Sequence, residues 1–489
     1  GDLDAAEAGC AACLAGWPGF GEGHLKMAQI LRARGLLAQR AIHDVEFHLR
    51  QALCCASKAR QRGLVEAAEK LSRSAAEQLS LLLCQEGRDD EAAKVLKRHG
   101  FRYRLSSHVL RYDLPEATPS RAGHSEMAKS QQTTAESFSS KRRRKSGKGR
   151  GRADGIDTAG EASKYVAAMD STLPPEMLGH LQEAFGSGSR FWSEHGYNSE
   201  TGTPGYFSYV HSLDKPPSTS LEQIINHLRA VAEIKFPEVK EAKFVEWWAH
   251  RRPHSSGHQM HFDSDNEGTG GVRNPIVSIV VYVTGDVGGP TLVTTQRLTS
   301  KKLAERGWMV HPRVNRVCMF DGGVLHGVIP GRGVPGSPSS PSVRGRGQGV
   351  GRIGADAVKR KERAGMRVTW MVAFWKDIQA REPPIPSGGI EGSSPSGAGA
   401  AQPFPVIESG YSEENSKSRR SGRTWPELFR KKPEGWGLVG GTRNGATPVT
   451  PVAVPQVWED VDGVKNERIG VGVRRLKKLP DYDLCFQGF

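Results

Sequence analysis

Gln259-Met260-His261-Phe262-Asp263-Ser264-Asp265 stands just before a long apolar run, Ile276 to Val283. In extended chain, residues i and i+2 point to the same face. His261 and Asp263 therefore aim an imidazole and a carboxylate at one point. His326, in Val324-Leu325-His326-Gly327, supplies the best third donor. Two imidazoles and one carboxylate on one face of a metal ion leave its other face open to further ligands. Rivals surround these three. His250, His254 and His258 precede them, and Asp265 and Glu267 follow. Histidines spaced by four could bind zinc from a helix, but Pro253 and Gly257 interrupt any such helix. Asp265 has the right parity but lies farther along the chain than the compact His261–Asp263 pair. His311 competes with His326 and reads as a strand-edge residue beside Pro312.

Short apolar stretches at 205–211, 244–249, 276–284, 291–295, 308–311, 315–320, 324–329 and 367–375 are separated by turn residues. Many short strands with regular turns predict a sandwich or barrel. Two helices precede most of them. Leu173-Pro174-Pro175 opens one, with proline in its first turn. Ser220 is read as the cap of the other, which runs to about Ile234 with Leu221, Ile224, Ile225 and Leu228 on one face. Arg367 begins an apolar strand, where a buried guanidinium is costly unless paired. A bound carboxylate or a structural ion pair would meet that need. Thr369 shares its face and can add a hydroxyl. Trp247, Trp248 and Trp370 are read as core.

The order of these motifs, through Val280-Val281-Tyr282-Val283, Gly288-Gly289-Pro290-Thr291 and Arg367 to Trp375, resembles the 2-oxoglutarate/Fe(II)-dependent dioxygenase superfamily. The likeness is to its prolyl 4-hydroxylase-like branch and covers residues 165–380. It implies an α+β fold, with a double-stranded β-helix (jelly-roll) oxygenase core and flanking helices. It implies His261, Asp263 and His326 as Fe(II) ligands, the facial arrangement of non-haem oxygenases. It also implies that Arg367, with Thr369 and Tyr282, holds the distal carboxylate of 2-oxoglutarate. A core tyrosine bonded to backbone is the other reading of Tyr282. The implied reaction consumes O2 and 2-oxoglutarate, yields succinate and CO2, and takes hydrogen from the substrate, with ascorbate supportive. The family's Gly-Gly-Glu-Thr turn is Gly-Gly-Pro-Thr at 288–291. That departure spares the metal ligands and leaves prolyl specificity open.

At 489 residues the length suggests about three domains. Strong helix formers fill 22–112, punctuated by Gly35 and Gly87. This N-terminal all-α domain is weakly similar to tetratricopeptide hairpins, though the 52-residue separation of those glycines exceeds that repeat's period. Residues 113–162 read as a disordered basic linker, 163–382 as the dioxygenase domain, and 332–366 as a low-complexity insertion within it. Residues 383–489 are low-complexity, with apolar docking segments at 425–429, 457–459 and 482–489. The net charge of +15 resides in 141–152, with eight basic residues and no acid, and in 332–366. The folded parts are near neutral. The basic segments read as solvated tails that allow weak nucleic-acid contact or a nuclear localisation signal, and no basic groove is expected.

No run of 18 apolar residues exists, so no membrane span is expected. Seven scattered cysteines read as reduced thiols, and Cys10-x-x-Cys13 lacks a second pair to complete a zinc site. No signal peptide is readable, and the expected setting is intracellular, cytoplasmic or nuclear. The leading expectation is hydroxylation of a protein side chain, the helices recruiting a polypeptide substrate or partner. Oxidative nucleic-acid demethylation and a catalytically silent helical-repeat scaffold are the alternatives.

Overall fold

The computed structural model describes residues 3–34, 39–113, 162, 164–186, 189–194, 208–265, 273–285, 287–300, 302–332, 366–378, 401–403 and 446–461. The helices at the N-terminal end are α1 (Leu3–Gly16), α2 (Gly21–Arg34), α3 (Gln39–Gln61), α4 (Val65–Gln85) and α5 (Asp89–Arg98). The strands are β1 (Tyr103–Leu105), β2 (Val166–Asp170), β3 (Ser208–Ser212), β4 (Phe244–Pro253), β5 (His258–His261), β6 (Val277–Tyr282), β7 (Thr291–Arg297) and β8 (Gly307–Val310). They continue with β9 (Val317–Asp321), β10 (Val324–Val328), β11 (Met366–Trp375), β12 (Ala401–Pro403), β13 (Thr447–Val449), β14 (Val452–Val454) and β15 (Trp458–Asp460).

A large sheet has the order β12-β3-β4-β11-β6-β9-β2-β13, a small one β14-β8-β7-β10-β5, and β1 pairs with β15. The ladders are antiparallel, except that β12 runs parallel to β3. The fold is thus mixed helix and sheet, built on two antiparallel sheets.

Alternation along β6 and β11 explains the layering. Val277, Ile279 and Val281 pack with Val368, Trp370, Val372 and Phe374 against the helices Pro175–Phe185 and Ser220–Glu233. The intervening Val280 and Tyr282, with Met371, Ala373 and Trp375, turn toward Val293, Trp308, Val310 and Val324 of the small sheet. Both faces are buried, so these strands read as nearly continuous apolar runs. Arg367 and Thr369 share the inward parity of Met371.

The other face of the small sheet meets the N-terminal helices. Met260, Leu292, Met309, Leu325 and Ile329 share one core with Leu79, Leu82, Leu83 and Leu96. Val457 and Trp458 are buried in the same core, and Glu459 accepts a hydrogen bond of 2.9 Å from Arg104 Nη2. Gly87 lies between α4 and α5 with φ +78°, a conformation that suits glycine. Asp89, Asp90 and Glu91 then occupy the first turn of α5, where the helix dipole favours them.

Several local expectations need correction. Helix begins before residue 22, at α1, which carries both Cys10 and Cys13. The cap of the helix Ser220–Glu233 is Thr219, whose hydroxyl accepts from the Glu222 amide while Glu222 reaches back to the Thr219 amide, a capping box. Ser220 lies one residue inside. The expected helical region also contains β1, whose partner lies far along the chain in β15. The linker segment 114–161 with its basic run 141–152, the insertion over 333–365, and the apolar segments 425–429 and 482–489 lie outside the described residues. No described helix is long and apolar enough to cross a membrane, and the described cysteines form no disulfide.

Candidate active site

The pairing of β5 with β10 sets up the site. His326 stands opposite His261 and Val328 opposite His258, so three steps along β5 match two along β10. Such a bulge places an extra residue in one strand and re-aims its side chains. His258 and His261 accordingly both line one cavity, while Met260 between them packs in the core beneath the small sheet. The strand ends at His261, and Asp263 follows in the connection rather than within the strand.

His261 Nε2 and His326 Nε2 each lie 3.6 Å from Asp263 Oδ1. One ligand atom from each of the three residues lies within 4.8 Å of the others. Nitrogen and oxygen donors sit about 2.1 Å from a small divalent ion, so neighbouring ligands of one ion are about 3 Å apart. Small side-chain shifts close that difference.

Each donor is held by the chain around it. His261 Nδ1 is 2.8 Å from the Gln259 carbonyl, and His326 Nδ1 is 3.0 Å from the Val324 carbonyl. An imidazole that donates from Nδ1 carries its lone pair on Nε2. Ser278 Oγ donates to Asp263 Oδ2 at 2.6 Å, and Asn274 Nδ2 donates to the Asp263 carbonyl at 2.6 Å. The remaining oxygen, Oδ1, is the one that faces both imidazoles.

Burial pushes His326 down to about 4, with the Asp263 carboxylate opposing the shift. Burial also holds His250 and His258 well below the ordinary range. For Asp263, burial acts upward, but the facing imidazoles of His326 and His261 and the hydrogen bond from Ser278 outweigh it and lower the carboxyl, which stays ionised. At neutral pH the site therefore offers lone pairs and a negative charge, as a divalent cation requires.

Arg367, Thr369 and Tyr282 line the same cavity as the three donors. Arg367 is 2% exposed, and its Nε and Nη1 have no hydrogen-bond partner among the described residues. Burial lowers it to about 10, which leaves it charged at neutral pH. The structural ion pair considered for Arg367 is not present among the described residues. Gly288 explains how the guanidinium fits. Its φ is +84°, and an added Cβ would stand 2.8 Å from both Cδ and Nη1 of Arg367. The Tyr282 hydroxyl is 2.6 Å from Thr291 Oγ1 and donates to the Val310 carbonyl at 3.2 Å.

Of the rival residues, His250 and His258 line the same cavity outside the cluster of three donors, whereas His254, Asp265 and His311 are engaged elsewhere. Asp265 Oδ2 accepts from Arg273 at 2.7 Å. His254 clasps two loops, accepting from the Gly288 amide at Nδ1 and bonding the Arg332 carbonyl through Nε2. His311 lies beside the Tyr112 ring at 5.5 Å. Glu267 lies outside the described residues. Sequence reasoning missed Ser278, Asn274, Thr291 and the inward turn of His258. Ser278 had a signal, since it shares the parity of Tyr282 within an otherwise aliphatic strand.

No protein-family model matches this sequence, and no curated protein does. Similar solved structures include a Pseudomonas putida prolyl-4-hydroxylase at 14% identity, covering 44% of this chain and 96% of that one, with TM-score 0.26. A 2OG-Fe(II) oxygenase family oxidoreductase from Burkholderia pseudomallei matches at 12% identity, covering 47% and 93%, with TM-score 0.26. HygX from Streptomyces hygroscopicus with nickel and 2-oxoglutarate bound matches at 10% identity, covering 50% and 94%, with TM-score 0.24. Likeness of that size carries no weight for activity; the donor geometry and the buried guanidinium do.

Proposed function

We propose that this chain is a 2-oxoglutarate- and Fe(II)-dependent dioxygenase, built on a double-stranded β-helix, that hydroxylates a protein side chain. One observation carries the reading. A buried guanidinium with two partnerless nitrogens shares a cavity with two imidazoles and a carboxylate that converge on one point. In this reading His261, Asp263 and His326 would hold the iron, and Arg367 would pair with the distal carboxylate of 2-oxoglutarate. Thr369 lines the same cavity and would add a hydroxyl to that carboxylate. Tyr282 and Thr291 hold the wall through their mutual hydrogen bond. When bound, the ferrous ion and co-substrate supply oxidative decarboxylation with O2, which yields succinate, CO2 and the oxidising equivalent passed to the substrate. The protein contributes orientation and exclusion of water. The free space is narrow, about 50 Å³, so a bound diacid displaces water and moves side chains at the wall.

A polypeptide substrate is favoured because the N-terminal helices pack directly on the sheet that carries His261 and His326. Those helices cover the outer face of that sheet, and a prolyl residue is one target class. Purified protein with Fe(II), ascorbate and 2-oxoglutarate is expected to release succinate, faster with protein acceptors. Stimulation by oligonucleotides in place of peptides would assign a nucleic-acid demethylase. Absence of both turnover and 2-oxoglutarate binding would assign a silent scaffold.

A further inference from the structure

Another buried guanidinium with a partnerless nitrogen lies away from the site just described. Arg32 on α2 is 5% exposed, and its Nη1 has no hydrogen-bond partner among the described residues. Its Nη2 reaches Gln85 Oε1 only at 3.5 Å. Burial alone lowers Arg32, to about 10, without any charged neighbour contributing to the shift. Acids on α1 are taken elsewhere, since Asp4 and Glu7 both pair with Arg34.

Arg32 lines a cavity of about 260 Å³ at the seam between the N-terminal helices and the turn that joins β4 to β5. Lys26, Gln29, Gln78, Arg252, Ser255 and Ser256 line it too, and among the described residues no aspartate or glutamate does. The Ser255 hydroxyl donates to the Arg32 carbonyl at 2.6 Å, which ties the turn to α2 across the seam. Among the described residues, three cationic side chains, two hydroxyls and two carboxamides therefore line this space, and no carboxylate does. Burying a cation without a counter-charge is costly. A guanidinium fork is matched by the paired oxygens of a carboxylate or phosphate.

We propose that this seam is a binding site for a small metabolite-sized anion carrying a phosphate or carboxylate group, with Arg32 as its central contact and Lys26 at its rim. The site is separate from the metal donors and stands whether or not the oxygenase reading holds.

Thermal unfolding of the full chain with inorganic phosphate in one arm and succinate in the other tests it. The Arg367→Met background removes the guanidinium of the metal-donor cavity and keeps succinate from reporting on it. At about ten times the dissociation constant, at least one probe raises the midpoint by about 2 °C. Arg32→Met abolishes that rise, and its own midpoint without ligand is unchanged or higher, because a buried uncompensated charge has gone. Lys26→Met changes an exposed residue and weakens the response about fivefold. A response that survives Arg32→Met overturns the proposal, as does no response to either probe. So does a large fall in the ligand-free midpoint of Arg32→Met, which would make Arg32 structural. The two arms tell a phosphate site from a carboxylate site.

Discussion

Replacing Ser278 by alanine tests the site through a side chain that does not touch the metal position. Ser278 is 3% exposed, and its hydroxyl donates to Asp263 Oδ2 at 2.6 Å. Hydrogen bonds to charged groups are worth about 1.5–3 kcal/mol. Loss of a partner that orients a metal ligand typically weakens metal binding about 10–100-fold, or about 1.4–2.7 kcal/mol, so the two measures agree. The ladder itself should survive, because Ser278 pairs through backbone with Phe320 on one side and Ala373 on the other. Without the hydroxyl, Asp263 Oδ2 is buried and unsatisfied, so its proton affinity rises and protons compete with metal at lower pH. The assay is an anaerobic metal titration of wild type and Ser278→Ala, with circular dichroism as the check on folding. A well-folded variant that binds metal within twofold of wild type would refute the view that Ser278 fixes Asp263 for coordination.

Three further predictions follow from the same geometry. Arg367→Met should raise the 2-oxoglutarate requirement by about 100-fold, in line with about 3 kcal/mol for a charge-assisted pair, while metal affinity stays near wild type; steady-state kinetics and a metal titration separate the two. Gly288→Ala should destabilise by more than about 1 kcal/mol, because it combines positive φ with a Cβ in contact with Arg367; denaturant unfolding at wild-type stability would contradict it. The metal-free protein should lose stability as pH falls from about 6.5 to 4. His326 is held down to about 4, so below its ordinary value the unfolded chain binds a proton that the native site refuses. The stabilisation is intact above that window and falls by about 3 kcal/mol across it, with other buried histidines adding to the slope; a flat profile in urea unfolding over that range would contradict the assignment.

The strands of the centre were legible because their physics is local. The nearly continuous apolar runs Val277–Tyr282 and Met366–Trp375 declare two buried faces, and glycine turns follow at Gly288-Gly289 and Gly322-Gly323. The donors were legible for a related reason, since His261 and His326 lie within short strands and Asp263 follows the first of them by two residues. What escaped depends on register and distance. The bulge that turns both His258 and His261 inward exists only once β5 meets β10. Thr219 outcompeted Ser220 as a cap because Glu222 stands three residues after it and completes the reciprocal bond. The strands β13 to β15 each pair with partners more than a hundred residues earlier in the chain. Three-residue strands carry no periodicity of their own to announce such pairings. The openness of the seam around Arg32 likewise depends on α2 meeting the β4–β5 turn, a contact with no sequence signature.

Anaerobic titration of the metal-free protein with Fe(II), in wild type and in Asp263→Ala, measures the central claim most directly. The expected result is one tightly held ion per chain in wild type and none in the variant. Equal binding by both proteins would contradict it and move the metal elsewhere.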